Sequence, residues 1–566
     1  MIRRIVACVL LALAASLATA PVAYAHAIVQ KTEPGIDTVV ETSPDRVVMH
    51  FNEPIEVAFG AIRVYDTSGV RVDTNDVDYV EGDPAAVDVG LEPDLANGTY
   101  TVTWRVISAD SHVITEAFVF HIGAPGAKPQ GIADEVLSGQ AGNSRTLGIL
   151  FGIVRAVGFA SMLLLIGAFC FLSYVWHVTD VSQPPERFYS RWSRLVIVGW
   201  AGTLIASLVA LPLQAAQAGG TGIAQGFGPS ALADVITTRF GRVMLIRAVV
   251  LVVAAALWAW VRTRMTKKDG AFEVFALGTS LALVVCTALA GHAGSTPPVA
   301  VNVPVDVLHL LAVSAWVGGL AALVAVAFPS FRGADTTDLG RVVSRYSDVA
   351  VVAVAVVVIT GTWQSFVEVK ALSAFDTTYG LTLLTKIALF LPLVGLGAIN
   401  NRWAKPRIEK ASSDGEHERG LAVLRRLITA EVAIALVIVG VTSFLVNLPP
   451  ARVAAGIDGP FITDVAFDEN ELNVLVDPNQ VGENEVHLTV TSPEGAAVDL
   501  KEMRVLFTMP AESIGPIEAA GTKLAKGHFV VQGHQLSVPG RWTLEVIGRL
   551  NRFDEVRIRV PVTVNG

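Results

Sequence analysis

At 566 residues the chain is too long for one domain, and its make-up is 52% apolar and only 16% charged with a mean hydropathy of +0.54. Soluble proteins carry about a quarter charged residues, so this composition points to membrane. The net charge of −9 collects in the two flanking regions and excludes nucleic acid as a partner. Cys8, Cys170 and Cys286 all lie in apolar stretches and no CxxC occurs, so any metal chemistry must use His, Asp, Glu or Met.

Residues 1–25 read as a signal peptide. Arg3 and Arg4 precede an apolar run from Ile5 to Leu17, and Ala23-Tyr24-Ala25 is a small-x-small cleavage site. The run is short for a spanning anchor, and cleavage after Ala25 makes His26 the first residue of the mature chain. Residues 26–124 read as an all-β domain, because short alternating segments such as Val47-Val48-Met49-His50-Phe51 and Tyr100-Thr101-Val102-Thr103-Trp104 are divided by Gly, Pro, Asn and Asp clusters. Residues 125–145, rich in Gly, Ala, Ser and Pro, read as a linker.

A membrane domain is expected over 146–450. Eight apolar blocks of spanning length run near 147–176, 195–217, 242–262, 272–291, 303–328, 347–368, 380–400 and 426–447. With the first block entering from outside, seventeen Arg and Lys fall in inner loops and three (Arg239, Arg242 and Lys370) in outer loops. The positive-inside rule then puts both termini on the extracytoplasmic side of a multi-pass plasma-membrane (inner-membrane) protein, in agreement with the signal peptide. Residues 451–566 return to alternation, as in Val486-His487-Leu488-Thr489-Val490, and read as a second small extracytoplasmic β-sandwich.

The first β region carries a candidate metal set. A mature N-terminal His26 offers its amine and imidazole Nδ1 to one ion, and Asp110 and His112, two apart, share a face if their segment is extended. Three nitrogens and one oxygen suit Cu(II), whereas two imidazoles and a carboxylate alone suit zinc equally. His50 and His121 alternate with apolar neighbours and read as structural.

Ser108-Ala109-Asp110-Ser111-His112, a His directly after the AYA site, Pro34-Gly35, Asn97-Gly98-Thr99-Tyr100 and Phe118-Val119-Phe120-His121-Ile122-Gly123 resemble the CopC copper-resistance family. The resemblance implies a Greek-key β-sandwich or barrel that binds Cu(II) through His26, Asp110 and His112. Some CopC proteins add a methionine-rich Cu(I) site, but Met49 is the sole methionine of this region, so a Cu(II)-only domain is expected.

Ionisable residues inside spanning helices mark pathways or cofactors. The fifth block is the richest: Asp306, His309, Val313, Trp316 and Leu320 fall within an arc of about 80°, with Trp316 read as packing. His292 stands at the outer end of the fourth block, and Thr360, Gln364 and Glu368 form a polar strip on the sixth. His292, Asp306, His309 and Glu368 are therefore the candidate copper pathway. Arg155, Arg247, Lys386 and Glu431 are further charges within the blocks.

The helix from His309 to Gly319, the Arg345-Tyr346-Ser347-Asp348 entry to the sixth block, Tyr379 to Lys386 and Asn400-Asn401-Arg402 resemble the CopD copper-resistance family, which implies copper movement across the membrane. Gly482-Glu483-Asn484-Glu485, Met509-Pro510 and Gly540-Arg541-Trp542 resemble the YtkA-like β domain; a second Met after Met-Pro is missing, and His528 and His534 straddle a strand and could bind metal, but read first as surface histidines.

The expected whole is a multi-domain copper-transport protein and not an enzyme. It captures Cu(II) outside and imports copper for homeostasis or resistance, with the copper ion and the lipid bilayer as partners. No GxxxxGK[ST] loop is present, which argues against ATP-driven pumping. Two alternatives stand beside it: a haem-containing cupric reductase with His292 and His309 as ligands, and a copper-sequestering or sensing protein without transport.

Overall fold

The computed structural model describes residues 27–123, 132–404 and 414–564, apart from short breaks at 28, 37, 58–60, 180, 182–184, 264–269, 332–336, 371, 455–460, 468–469, 493–497, 499 and 550–554. The expected signal peptide, His26 and the first part of the linker lie outside the described residues. The helical region forms one compact unit and the two β regions another.

The N-terminal β region is a two-sheet sandwich of eight strands: β1 (Val29–Glu33), β2 (Val39–Val40), β3 (Arg46–Phe51), β4 (Ile62–Tyr65), β5 (Asp78–Tyr79), β6 (Ala86–Gly90), β7 (Gly98–Ile107) and β8 (Val113–Ile122). One sheet has the order β1-β3-β6-β5 and the other β2-β8-β7-β4. Alternation drives the packing. Val47, Met49 and Phe51 of β3 point inward with Val102 and Trp104 of β7 and Phe118 and Phe120 of β8, all buried. The solvent face of the β3–β6 pair is tied by Arg46, which donates to Asp88 at 2.7 Å and Asp76 at 2.9 Å. Met49 is part of this core.

The helical unit contains eight helices long and apolar enough to cross a membrane among the described residues: α1 (Thr146–Thr179), α2 (Phe188–Gly219), α3 (Arg239–Trp258), α4 (Ala271–Leu289), α5 (Val299–Ser330), α6 (Asp338–Val369), α7 (Thr378–Arg402) and α8 (Arg419–Leu445). Several overrun the apolar blocks, as where α6 begins nine residues before 347 and α8 seven before 426. Hydropathy reports only the hydrocarbon-facing stretch, while Arg, Val and Leu continue the helix beyond it. The backbone of residues 132–145, expected as linker, is helical and runs into α1.

Half of the most apolar stretch of α5 is covered by protein, against 11% for α7, so α5 is among the more enclosed helices and α7 the most exposed of those described. Lipid supplies no hydrophobic drive between helices, so small residues set the contacts. A Cβ on Gly318 of α5 would stand 2.1 Å from the Leu163 carbonyl oxygen and 2.7 Å from Gly167 Cα, so α1 and α5 meet backbone to backbone there. α5 carries two π-helical stretches, Ser314–Gly318 and Leu323–Ala327. Buried indole and phenol groups are satisfied by carbonyls: Trp192 Nε1 donates to Ala168 at 2.8 Å and the Tyr346 hydroxyl to Trp316 at 2.6 Å.

The C-terminal region is a second sandwich: β9 (Phe461–Phe467), β10 (Asn470–Asp477), β11 (Asn484–Thr491), β12 (Glu502–Met509), β13 (Ile514–Ala520), β14 (Thr522–Ala525), β15 (His528–Gly533), β16 (Gly540–Arg549) and β17 (Glu555–Val564). A sheet β14-β15-β11-β10-β9 faces a sheet β13-β12-β16-β17. Val486, Leu488, Val505, Phe507, Trp542 and Leu544 fill the space between them.

Candidate copper sites

The first candidate site is the loop that joins β7 to β8. Ile107 pairs with Val113, and the five residues between them, Ser108 to His112, close the hairpin. Ser111 adopts φ +72°, and its amide donates to the Ser108 carbonyl at 2.8 Å, while the Ser108 amide donates to the His112 carbonyl at 2.9 Å. Asp110 and His112 thus converge through a tight turn and not through the alternation of an extended segment. The expected cause was wrong, yet the residues do meet: His112 Nδ1 lies 2.9 Å from Asp110 Oδ1.

This loop is held from beneath. Asp110 is buried, and its Oδ1 accepts from the Ser108 hydroxyl and from the His112 amide at 3.2 Å. Buried Glu53 accepts from the Ala109 amide at 3.0 Å. A carboxylate that receives several hydrogen bonds is fixed in direction, as a metal ligand must be. Glu53 follows β3, whose Phe51 pairs with Val29 at the start of β1. The chain therefore enters β1 at the sheet end that Glu53 ties to the loop. His121 is buried in the sheet with its Nδ1 at 2.9 Å from Thr99 Oγ1, a structural contact.

The second candidate site is the polar seam between α5 and α6. The stripe on α5 and the strip on α6 face each other: Gln364 Nε2 donates to Asp306 Oδ1 at 2.8 Å, and His309 Nδ1 lies 2.9 Å from Thr360 Oγ1. Thr360 has one proton, and it goes to the Val356 carbonyl at 2.6 Å. With that proton directed at the Val356 carbonyl, the oxygen accepts from His309 Nδ1–H and Nε2 of His309 keeps the lone pair. Gly361 lies beside the ring: a Cβ there would be in van der Waals contact with His309 Cε1 at 3.4 Å.

Asp306 lies within electrostatic range of Lys386, His292 and Glu368. His292 is not on a helix but in the single 3-10 turn His292–Gly294 between α4 and α5, its carbonyl accepting from the Ser295 and Thr296 amides. Lys386, on α7, belongs to this cluster although the apolar pattern assigns it no role. Below the cluster, Trp316 is buried against Phe390 edge-to-face at 5.9 Å, a packing residue as expected. Arg155 is tied elsewhere, to Asn447 Oδ1 at 2.6 Å, and Glu431 to Asn400.

In the C-terminal sandwich, His528 is buried and stands 3.2 Å through Nε2 from His487 Nδ1. The surface reading of His528 is corrected: residue spacing shows His528 near His534 along the chain, but strand pairing of β11 with β15 delivers it to His487. The alternation of His487 with Val486 and Leu488 is that of any outward strand position, so the sequence pattern does not mark it as a ligand.

Comparison with known proteins agrees with this layout. Residues 29–123 match the CopC domain family, 146–301 the copper resistance protein D-like N-terminal domain and 340–445 copper resistance protein D. The chain is 27% identical over 551 residues to copper transport protein CutJ of Bacillus subtilis (strain 168), covering 95% of this chain and 96% of that protein. It is 30% identical over 151 residues to copper resistance protein D of Pseudomonas syringae pv. tomato, covering 26% of this chain and 48% of that protein. The crystal structure of CopC from Methylosinus trichosporium OB3b is 26% identical, with a TM-score of 0.17, covering 18% of this chain and 98% of that one. The chain is thus a multi-pass membrane protein that joins a CopC domain, over 29–123, to copper resistance protein D domains, over 146–301 and 340–445, in one polypeptide.

Proposed function

We propose that the chain captures Cu(II) outside the cell and passes copper inward through the α5–α6 seam. His26, Asp110 and His112 hold the ion in the CopC domain; His292, Asp306, His309 and Glu368 receive it in the membrane. The observation that carries the capture step is the pairing of Asp110 with His112 in a loop whose carboxylate is already fixed. Imidazole and carboxylate donors favour Cu(II) over the other common divalent ions by the Irving–Williams order. With Met49 in the core, this domain has no thioether to offer Cu(I), which supports a Cu(II)-only site.

The membrane step rests on His309. Its Nε2 lone pair, set by the Thr360 contact, is the ligand form of imidazole, and Asp306 supplies negative charge one turn away. The orientation with both termini outside follows from the positive-inside count and places capture on the extracytoplasmic side. The protein carries out no chemical conversion in this reading; copper is cargo.

The test is copper accumulation by cells lacking the endogenous gene and expressing full-length chain. His309→Ala and Thr360→Val, at wild-type abundance in the membrane, are expected to lower accumulation at least fivefold. Wild-type accumulation in His309→Ala would refute the pathway, and a haem absorption spectrum in the purified protein would favour a reductase instead.

A further inference from the structure

The face of the β14-β15-β11-β10-β9 sheet turned away from the sandwich core gathers two imidazoles and two carboxylates. Val486 and Leu488 of β11 and Phe529 and Val531 of β15 belong to the core, so Glu485, His487 and His528 point to the opposite face. Thr489 is the cross-strand partner of His528, and Val530 that of His487, which makes the two histidines a diagonal pair. Asp477, at the end of β10, is the cross-strand partner of Glu485.

Three details distinguish this group from scattered strand residues. First, His487 Nδ1 and His528 Nε2 face each other at 3.2 Å. Two nitrogens bound to one ion at about 2.0–2.1 Å, with angles between square and tetrahedral, stand about 2.8–3.4 Å apart, so the pair already has the separation of two ligands. Second, the other nitrogen of His487 is held by Glu485: Nε2 lies 3.3 Å from Oε2, and Oε1 of the same carboxylate accepts from Gln532 at 2.7 Å. A carboxylate behind an imidazole keeps the proton on the far nitrogen and the lone pair on the near one, the arrangement common to metal-ligating histidines. Third, Asp477 Oδ1 is buried with no hydrogen-bond partner among the described residues. Burial and then the charge of Glu485 push Asp477 up to about 7, so a cation at this face relieves a carboxylate that burial penalises.

We propose that the C-terminal sandwich carries a second, independent divalent transition-metal site, filled by Cu(II), with His487 Nδ1 and His528 Nε2 as ligands, Glu485 orienting His487, and Asp477 compensating the charge. In the empty site the His528 Nε2–H faces the His487 Nδ1 lone pair across the 3.2 Å contact; the ion takes the place of that proton, which moves to Nδ1 of His528. Two nitrogens plus water make a weaker site than a three-nitrogen chelate, suited to relay or buffering rather than permanent retention.

The test uses the full-length chain in detergent with His112→Ala as background, which removes the CopC-domain ligand and keeps this result separate from the capture reading. Cu(II) is titrated and followed by electron paramagnetic resonance. The background is expected to bind Cu(II), and adding His487→Gln or His528→Gln should remove one equivalent or weaken it at least tenfold; Glu485→Gln should weaken it about threefold. Unchanged stoichiometry and affinity in either histidine variant overturns the proposal. Pulsed resonance on the background protein itself, which needs no strand substitution, should show a copper population with two imidazole couplings; its absence also overturns the proposal.

Discussion

Ser108→Ala probes the capture loop without touching a proposed ligand. The Ser108 hydroxyl donates to Asp110 Oδ1, and its oxygen accepts from the His112 amide at 3.2 Å. Both Ser108 and Asp110 are buried, 2% exposed each, so water does not replace the lost donor. A hydrogen bond to a charged group contributes about 1.5–3 kcal/mol, which corresponds to roughly 10–150-fold in an equilibrium constant. Part of that loss falls on the metal-free fold, and the remainder on copper binding, where removal of an outer partner of a ligand typically weakens affinity about 10–100-fold. The expected result is a fall in Cu(II) affinity of about 10–100-fold with the two-sandwich fold intact. The assay is competition against a chelator of known Cu(II) affinity on full-length protein, with thermal melting as the control for folding. A change below threefold in a folded variant would refute the argument that this turn organises the site.

Two further expectations concern the scaffold. Gly318→Ala drives a methyl into the Leu163 carbonyl and Gly167 Cα; overpacking of that kind costs about 1–3 kcal/mol or more, so melting in detergent should fall clearly. Gly278→Ala on α4, where a Cβ meets nothing within 4 Å, should leave it unchanged. Asp477→Asn tests burial of the strand-end carboxylate. The folded protein holds that proton up to about pH 7 while the unfolded chain releases it near 4, so stability declines as pH rises through this window, by at most about 4 kcal/mol. Under chelator, the variant should melt higher than the parent at pH 8 and equally at pH 4; an equal gain at both would exclude ionisation as the cause.

Much of this architecture is legible in the linear chain, because its physical determinants are local. Spanning helices announce themselves by length and apolarity, since lipid tolerates no unsatisfied backbone. Strands announce themselves by alternation, which is why Val47, Met49 and Phe51 are readable as core. The polar stripe on α5 and the strip on α6 are equally local, for helical periodicity puts Asp306 and His309 on one face and Thr360, Gln364 and Glu368 on another. That the two faces meet, with Gln364 on Asp306 and Thr360 on His309, was decided by helix packing.

What only the tertiary structure decided are contacts whose partners are far apart in the chain or whose backbone leaves the regular periods. Asp110 and His112 meet because Ser111 takes a left-handed conformation that no alternation rule anticipates. Glu53 supports their loop from 56 residues away. Lys386 joins the Asp306 cluster from α7, and His487 finds His528 only through the pairing of β11 with β15. Sequence periodicity determines which face a residue occupies; it carries no information on which distant face lies opposite, because that choice is made by the packing of whole elements.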